Sequence, residues 1–158
     1  MIPAPRDDAA PGTGVSGHVF SFRDEWTVPA EPARVHDVLV DLERYPEWWP
    51  EVRAVAKLGP DDALVVCRSR LPYTLEMRLH AVHRLPHLLE TSLHGDLEGK
   101  VRYHLERHDT GTRLRFEQDV VVAGRLLGLA AYVARPLLTW NHDRMMASCL
   151  AGLTRRTR

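Results

Sequence analysis

Sulfur is scarce in this chain. Two cysteines, Cys67 and Cys149, stand far apart in 158 residues. They exclude a disulfide framework and a C-x-x-C metal knuckle, and they read as buried, reduced thiols of a cytoplasmic protein. Long apolar runs are missing too: none approaches the roughly 20 residues that span a bilayer. Neither sign of charge is in excess, since 21 basic residues balance 21 acidic ones. Without a global positive field, salt-driven nucleic-acid binding is not expected. A serine-nucleophile elbow, a P-loop and a paired-carboxylate helix motif are absent.

Nine histidines invite a metal site. Their spacing argues against one. His80 and His83 point to opposite faces of a strand, and His104 and His108 share a face at about 13 Å separation. Zinc ligands must lie within about 2.1 Å of one ion. No metal and no cofactor is expected.

What is present is the composition of one globular domain, 44% hydrophobic and 27% charged. A chain of this size buries roughly 68–70% of its unfolded surface in a single core. Residues 1–17 are rich in Pro and Gly and lack the apolar stretch of a signal peptide, so they are expected to be a flexible lead-in to one domain over 18–155. Gly12, Gly14 and Gly17 spell G-x-G-x-x-G. No strand precedes them and no helix follows, so nucleotide binding is not expected there.

Residues 18–28 alternate and are rich in Val, Phe and Trp, which predicts a strand. Pro32 suits the first turn of a helix carrying Val35, Val38, Leu39 and Leu42, which Pro46 should end. A short helical turn over 47–49 is expected next, stopped by Pro50. The period then changes from 3.6 to 2. Strands are expected over 52–58, 63–70, 73–84, 88–94, 101–108 and 112–122, each bounded by a turn signal such as Gly59-Pro60-Asp61-Asp62 or Leu71-Pro72. From Arg125 to about Leu153 the pattern is helical, with Leu126, Leu129, Ala130, Val133, Leu137, Trp140 and Asn141 as its stripe and Pro136 expected to kink or divide it. Such a helix would be about 43 Å long and must cross the sheet diagonally.

This order predicts an α+β fold in which a curved antiparallel sheet of six to seven strands grips one long C-terminal helix. A cavity between sheet and helix is the natural place for a small ligand. The order and several strings resemble the SRPBCC superfamily, with its START-like helix-grip fold. The strings are Trp26-Thr27-Val28-Pro29-Ala30, Tyr45-Pro46-Glu47-Trp48-Trp49-Pro50, Leu71-Pro72-Tyr73, Gly95-Asp96-Leu97-Glu98-Gly99 and Asn141-His142. The likeness is greatest to actinobacterial proteins of the polyketide cyclase/dehydrase or lipid-transport kind.

A two-residue loop at Leu71-Pro72 would pair Arg70 with Tyr73, Arg68 with Leu75, Val66 with Met77 and Leu64 with Leu79. That set is apolar apart from the arginines, so it is expected to face the helix with Arg68 and Arg70 inward. A one-residue slip reverses the assignment. The two guanidiniums either snorkel to the sheet edge or pair with an acid near the rim, or else at least one meets an oxygen of a ligand. The resemblance implies the last role for one of them, because similar aromatase/cyclases carry an inward arginine on that strand. Tyr103 and Leu105 share a face, as do Phe116 and Gln118, the only Gln of the chain. Gln118 has either a local partner or a ligand.

Asn141 is the only Asn; similar cyclases place one at a matching position. It is either a local helix amide or a ligand contact. His142 is either a satisfied structural histidine or an acid–base group. Tyr45, Trp48 and Trp49 either pack or frame the mouth. The expected lining is thus Trp49, Arg68, Arg70, Tyr73, Leu75, Met77, Tyr103, Leu105, Phe116, Gln118, Val133, Leu137, Asn141 and Met145, with Arg68, Arg70, Asn141 and His142 as candidates for chemistry. The expected partner is a hydrophobic small molecule, polyketide-like, aromatic or lipid. It is either carried or sensed, or else cyclised or dehydrated without a cofactor. A protein-interaction module with a filled cavity is the third possibility. Oligomeric state stays open between monomer and dimer.

Overall fold

A computed structural model describes residues 19–123 and 135–158. The expectations for residues 1–17, and for Leu126, Leu129, Ala130 and Val133, lie outside the described residues. The first strand, β1 (Val19–Val28), buries Phe20 and Val28, half-buries Phe22, Asp24 and Trp26 on the same face, and exposes Ser21, Arg23, Glu25 and Thr27 on the other, as its alternation requires. Helix α1 (Pro32–Val40) follows, with Val35 and Leu39 buried and Pro at its start.

The expected continuation of this helix to Pro46 is corrected. It stops at Val40, a 3-10 turn occupies Leu42–Arg44, and α2 spans Tyr45–Trp48. Pro46 sits in the first turn of α2, where no amide donor is needed. The Tyr45 hydroxyl donates to the Leu39 carbonyl at 2.6 Å, tying the two helices together.

Six strands come next: β2 (Val52–Lys57), β3 (Asp62–Arg68), β4 (Thr74–Leu85), β5 (Leu88–Gly95), β6 (Leu97–His108) and β7 (Gly111–Val122). They form one antiparallel sheet with β1, in the order β1-β7-β6-β5-β4-β3-β2. The described part of the last helix, α3, covers Arg135–Arg156. At 22 residues it is about 33 Å long. Pro136 is its second described residue. This is the α+β helix-grip architecture.

The β3–β4 register differs from the expected one by a single residue. Arg68 pairs with Thr74, Cys67 with Leu75, Val65 with Met77 and Ala63 with Leu79. The link is five residues long rather than two, because pairing ends at Arg68 and Thr74. Pro72 has no amide to donate, and it biases Leu71 toward extended backbone, so the ladder cannot run to the tip. Ala63, Val65 and Cys67 therefore face inward, and Leu64 and Arg68 are exposed.

The core divides into two ends. At one, Val28, Val35, Leu114, Cys149 and Leu153 are fully buried. There α3 lies so close to α2 that a Cβ on Gly152 would stand 1.9 Å from the Trp48 carbonyl oxygen. At the other end sheet and helix part, and a cavity opens.

Candidate functional site

The cavity has a volume of about 220 Å³. Its walls are mainly side chains that the strand pleat sends to the concave face. Phe20 and Phe22 come from β1, Val65 and Cys67 from β3, Leu75, Met77 and Leu79 from β4, and Thr91 and Leu93 from β5. Leu97, Val101 and Tyr103 of β6 and Phe116, Gln118, Val120 and Val122 of β7 continue the wall. Leu138, Asn141, His142, Met145 and Met146 of α3 close it, and Leu42, Tyr45, Trp49, Val52 and Tyr73 border it. The helical residues recur at three- and four-residue spacing, so one face of α3 serves the cavity.

Few polar groups enter this space, and most are already engaged. Trp49 Nε1 donates to the Met145 carbonyl at 3.0 Å, fixing the ring against the helix. Its ring stacks on Trp48 with centroids 6.0 Å apart. His142 lies flat on Phe22, centroids 3.5 Å apart and planes 8° from parallel. Its Nε2 is 3.1 Å from Gln118 Oε1, and its Nδ1 is buried, 3.8 Å from Asp143 Oδ1 and beyond hydrogen-bond length. Burial holds the imidazole's pKa down at about 4, against a smaller opposing pull from Asp143, so the ring is neutral at pH 7. Burial raises the Tyr103 and Tyr73 phenols and carries the Cys67 thiol up to about 12. Asn141 is 6% exposed, and among the described residues its amide reaches only the Met145 thioether at 3.8 Å, a weak acceptor.

Of the expected residues, Trp49, Tyr73, Leu75, Met77, Tyr103, Phe116, Gln118, Asn141, His142 and Met145 come together at the cavity. Arg68 and Arg70 do not: both are exposed, Arg68 because of the register shift and Arg70 because it lies in the loop. Leu137 is corrected as well. It and Trp140 are 42% and 43% exposed, and Leu138 takes the inward position. The stripe is rotated by about one residue from the expected phase. Leu105 faces inward but packs with Leu114 in the solid part of the core, not at the cavity. Val133 lies outside the described residues. Phe20, Phe22, Leu93 and Val120 were legible as inward strand positions; Thr91 shares their parity but is polar, and Leu42 was legible as an apolar helix position, though not as one that reaches the cavity. Trp48 is core, and Tyr45 and Trp49 both pack and border the cavity.

Among the described residues, no cavity-lining side chain is Arg, Lys, Asp or Glu. On the convex face Arg102 donates to Glu90 at 2.6 Å, and Arg23 reaches both carboxylate oxygens of Asp119 at 3.0 Å. No group of three or more described His, Cys, Asp or Glu residues is arranged to hold a metal. No described helix is long and apolar enough to cross a membrane.

Comparison with known proteins agrees with this architecture. A START superfamily protein from Mycobacterium smegmatis has a TM-score of 0.70 at 18% identity, over 89% of this chain and 97% of that one. The Zhui aromatase/cyclase from Streptomyces sp. R1128 has 0.67 at 18%, over 89% and 94%. A conserved protein from Geobacillus kaustophilus has 0.74 at 10%, over 87% and 95%. At these identities the likeness is one of fold. No curated protein matches the sequence. The family model described as polyketide cyclase / dehydrase and lipid transport matches residues 19–156. The chain therefore has the START-like helix-grip fold and belongs to the polyketide cyclase / dehydrase and lipid transport family.

Proposed function

We propose that this protein binds an apolar, ring-bearing small molecule in the cavity between sheet and α3, as a carrier or sensor rather than as an enzyme. The observation that carries the reading is the cavity itself: about 220 Å³ of space walled by Phe, Leu, Val and Met, with aromatic faces at Phe22, Phe116 and Trp49. A cavity of roughly 150 Å³ lined by Leu, Ile and Phe already accepts benzene, so this one has room for about one ring more. Family membership supports the same reading.

The geometry favours binding over chemistry. A general base must reach the proton it removes. Here one imidazole nitrogen of His142 is occupied by Gln118 and the other is buried without access to the cavity. The guanidiniums that the sequence offered as charge stabilisers lie outside.

Native mass spectrometry of the purified protein tests the proposal. The expected result is one small apolar molecule per chain. A Leu75→Trp variant, which fills the cavity from β4, should carry none and still melt cooperatively. Equal occupancy of both proteins would place the ligand elsewhere, and a bare protein that also takes up no added aromatic compound would end the proposal. Turnover of a β-polyketone mimic that is lost in His142→Gln would instead restore the cyclase reading.

A further inference from the structure

We infer that the cavity selects for an uncharged ligand of one or two rings carrying a hydrogen-bonding oxygen, and rejects carboxylates of the same shape. This rests on the reading that the cavity binds a small molecule at all. Three observations carry it. First, among the described residues no wall side chain is formally charged, and the one titratable imidazole stays neutral at pH 7. A carboxylate placed here would lose its water and gain no cation, and an unpaired buried charge is far costlier than a buried hydroxyl. Arg135 does lie near, 4.4 Å from the Phe20 ring centroid, but it is exposed, it donates to the Val19 carbonyl, and it is not a wall residue.

Second, the cavity is not wholly apolar. Asn141 is nine-tenths buried at its wall, and its amide has only a thioether for company among the described residues. A buried amide whose donor meets only a thioether, a weak acceptor, is poorly satisfied, and a phenol or ketone oxygen on the ligand would give it a stronger partner. Third, pockets that hold drug-sized ligands measure roughly 300–1,000 Å³. The 220 Å³ here stops short of that range.

The test titrates the full-length protein at pH 7.5 with naphthalene, 2-naphthol and 2-naphthoate, followed by calorimetry. Their fused-ring frameworks match, so only the substituent is varied. Expected are tightest binding of 2-naphthol, several-fold weaker binding of naphthalene, and a loss of about a hundredfold for 2-naphthoate. In Asn141→Leu the advantage of naphthol over naphthalene should vanish while naphthalene still binds. Naphthoate binding as tightly as naphthol would overturn the inference and leave the binding proposal standing. If that tight binding fell away in Arg135→Met, the rim arginine would be its cause. Binding of none of the three would sink both. The wild-type series decides the charge rule even if Asn141→Leu fails to fold.

Discussion

His142 shows how one side chain's meaning depends on its surroundings. On the surface it would titrate near 6.5, but stacked on Phe22 and buried at the cavity wall it holds a pKa of about 4. Between those values the unfolded chain binds a proton that the folded one refuses, so stability must rise with pH there. The contribution is complete above about pH 6.5 and is lost as pH falls toward 4, for a total of at most about 3 kcal/mol. His142→Gln can still hydrogen-bond Gln118 but has no proton to take up. Denaturant melts at pH 4.5 and pH 7 should therefore show a smaller difference for this variant than for the native protein, and equal differences would refute the assignment. The carboxyls of Asp62, Glu90 and Asp119 have lowered pKa values, Asp62 held by His80 and Arg78, Glu90 by Arg102 and Asp119 by Ser21 and Arg23. Their contributions are lost only as pH falls below the ordinary carboxylate range.

At the scale of elements, the contact of α2 with α3 decides where the cavity ends. The absence of a side chain at Gly152 lets the helix approach to contact with the Trp48 backbone, which brings the indole of Trp48 into the core. Alanine at that position gains helix propensity of about 1 kcal/mol. The clash with a backbone oxygen outweighs it, since overpacking a well-filled site costs about 1–3 kcal/mol and here the neighbour cannot rotate away. Gly152→Ala should lower Tm by several degrees, as about 2–4 °C per kcal/mol applies to a chain of this size. An unchanged or raised Tm would mean the helices can part at little cost. Arg68 marks the opposite case. Exposed at the end of β3, it should accept Gln with a stability change within about 0.5 kcal/mol and with unaltered ligand binding. Lost binding in Arg68→Gln would contradict its outward placement.

The whole molecule joins a solid end to a hollow one. Leu114 is fully buried in the packed end, whereas Leu75 is half-buried at the cavity wall. Truncating the first opens a new hole in a close-packed region, at a cost of about 3–5 kcal/mol. Truncating the second enlarges a space that exists already and removes fewer contacts, so Leu75→Ala should cost about half as much or less. Urea unfolding of the two variants measures the contrast; equal losses would mean that the cavity collapses in solution. The hollow end is also where a ligand would add stability by mass action, since it binds the folded state alone.

Much of this was readable without a structure. The alternation of Phe116, Gln118, Val120 and Val122, and of Leu75, Met77 and Leu79, names the concave face, because side chains on a strand must alternate. Turn signals between the apolar runs dictate antiparallel neighbours, and a long helical pattern after them leaves a sheet no other partner to cover its face. The residues of β3 defeated this logic. Ala63-Leu64-Val65-Val66-Cys67 is apolar on both faces, so periodicity could not say which side is inward, and the register was left to a turn whose length Pro72 set. A slip of one residue moved Arg68 from the cavity to the surface and with it the charge of the site. The phase of α3 was likewise undecided, because Leu137 and Leu138 are adjacent and equally apolar, and only packing against the sheet chose Leu138. Local sequence determined the elements and their order. Which of two apolar faces turns inward, and hence that no described wall side chain is charged, was decided by the tertiary structure, because that choice depends on contacts between segments far apart in the chain.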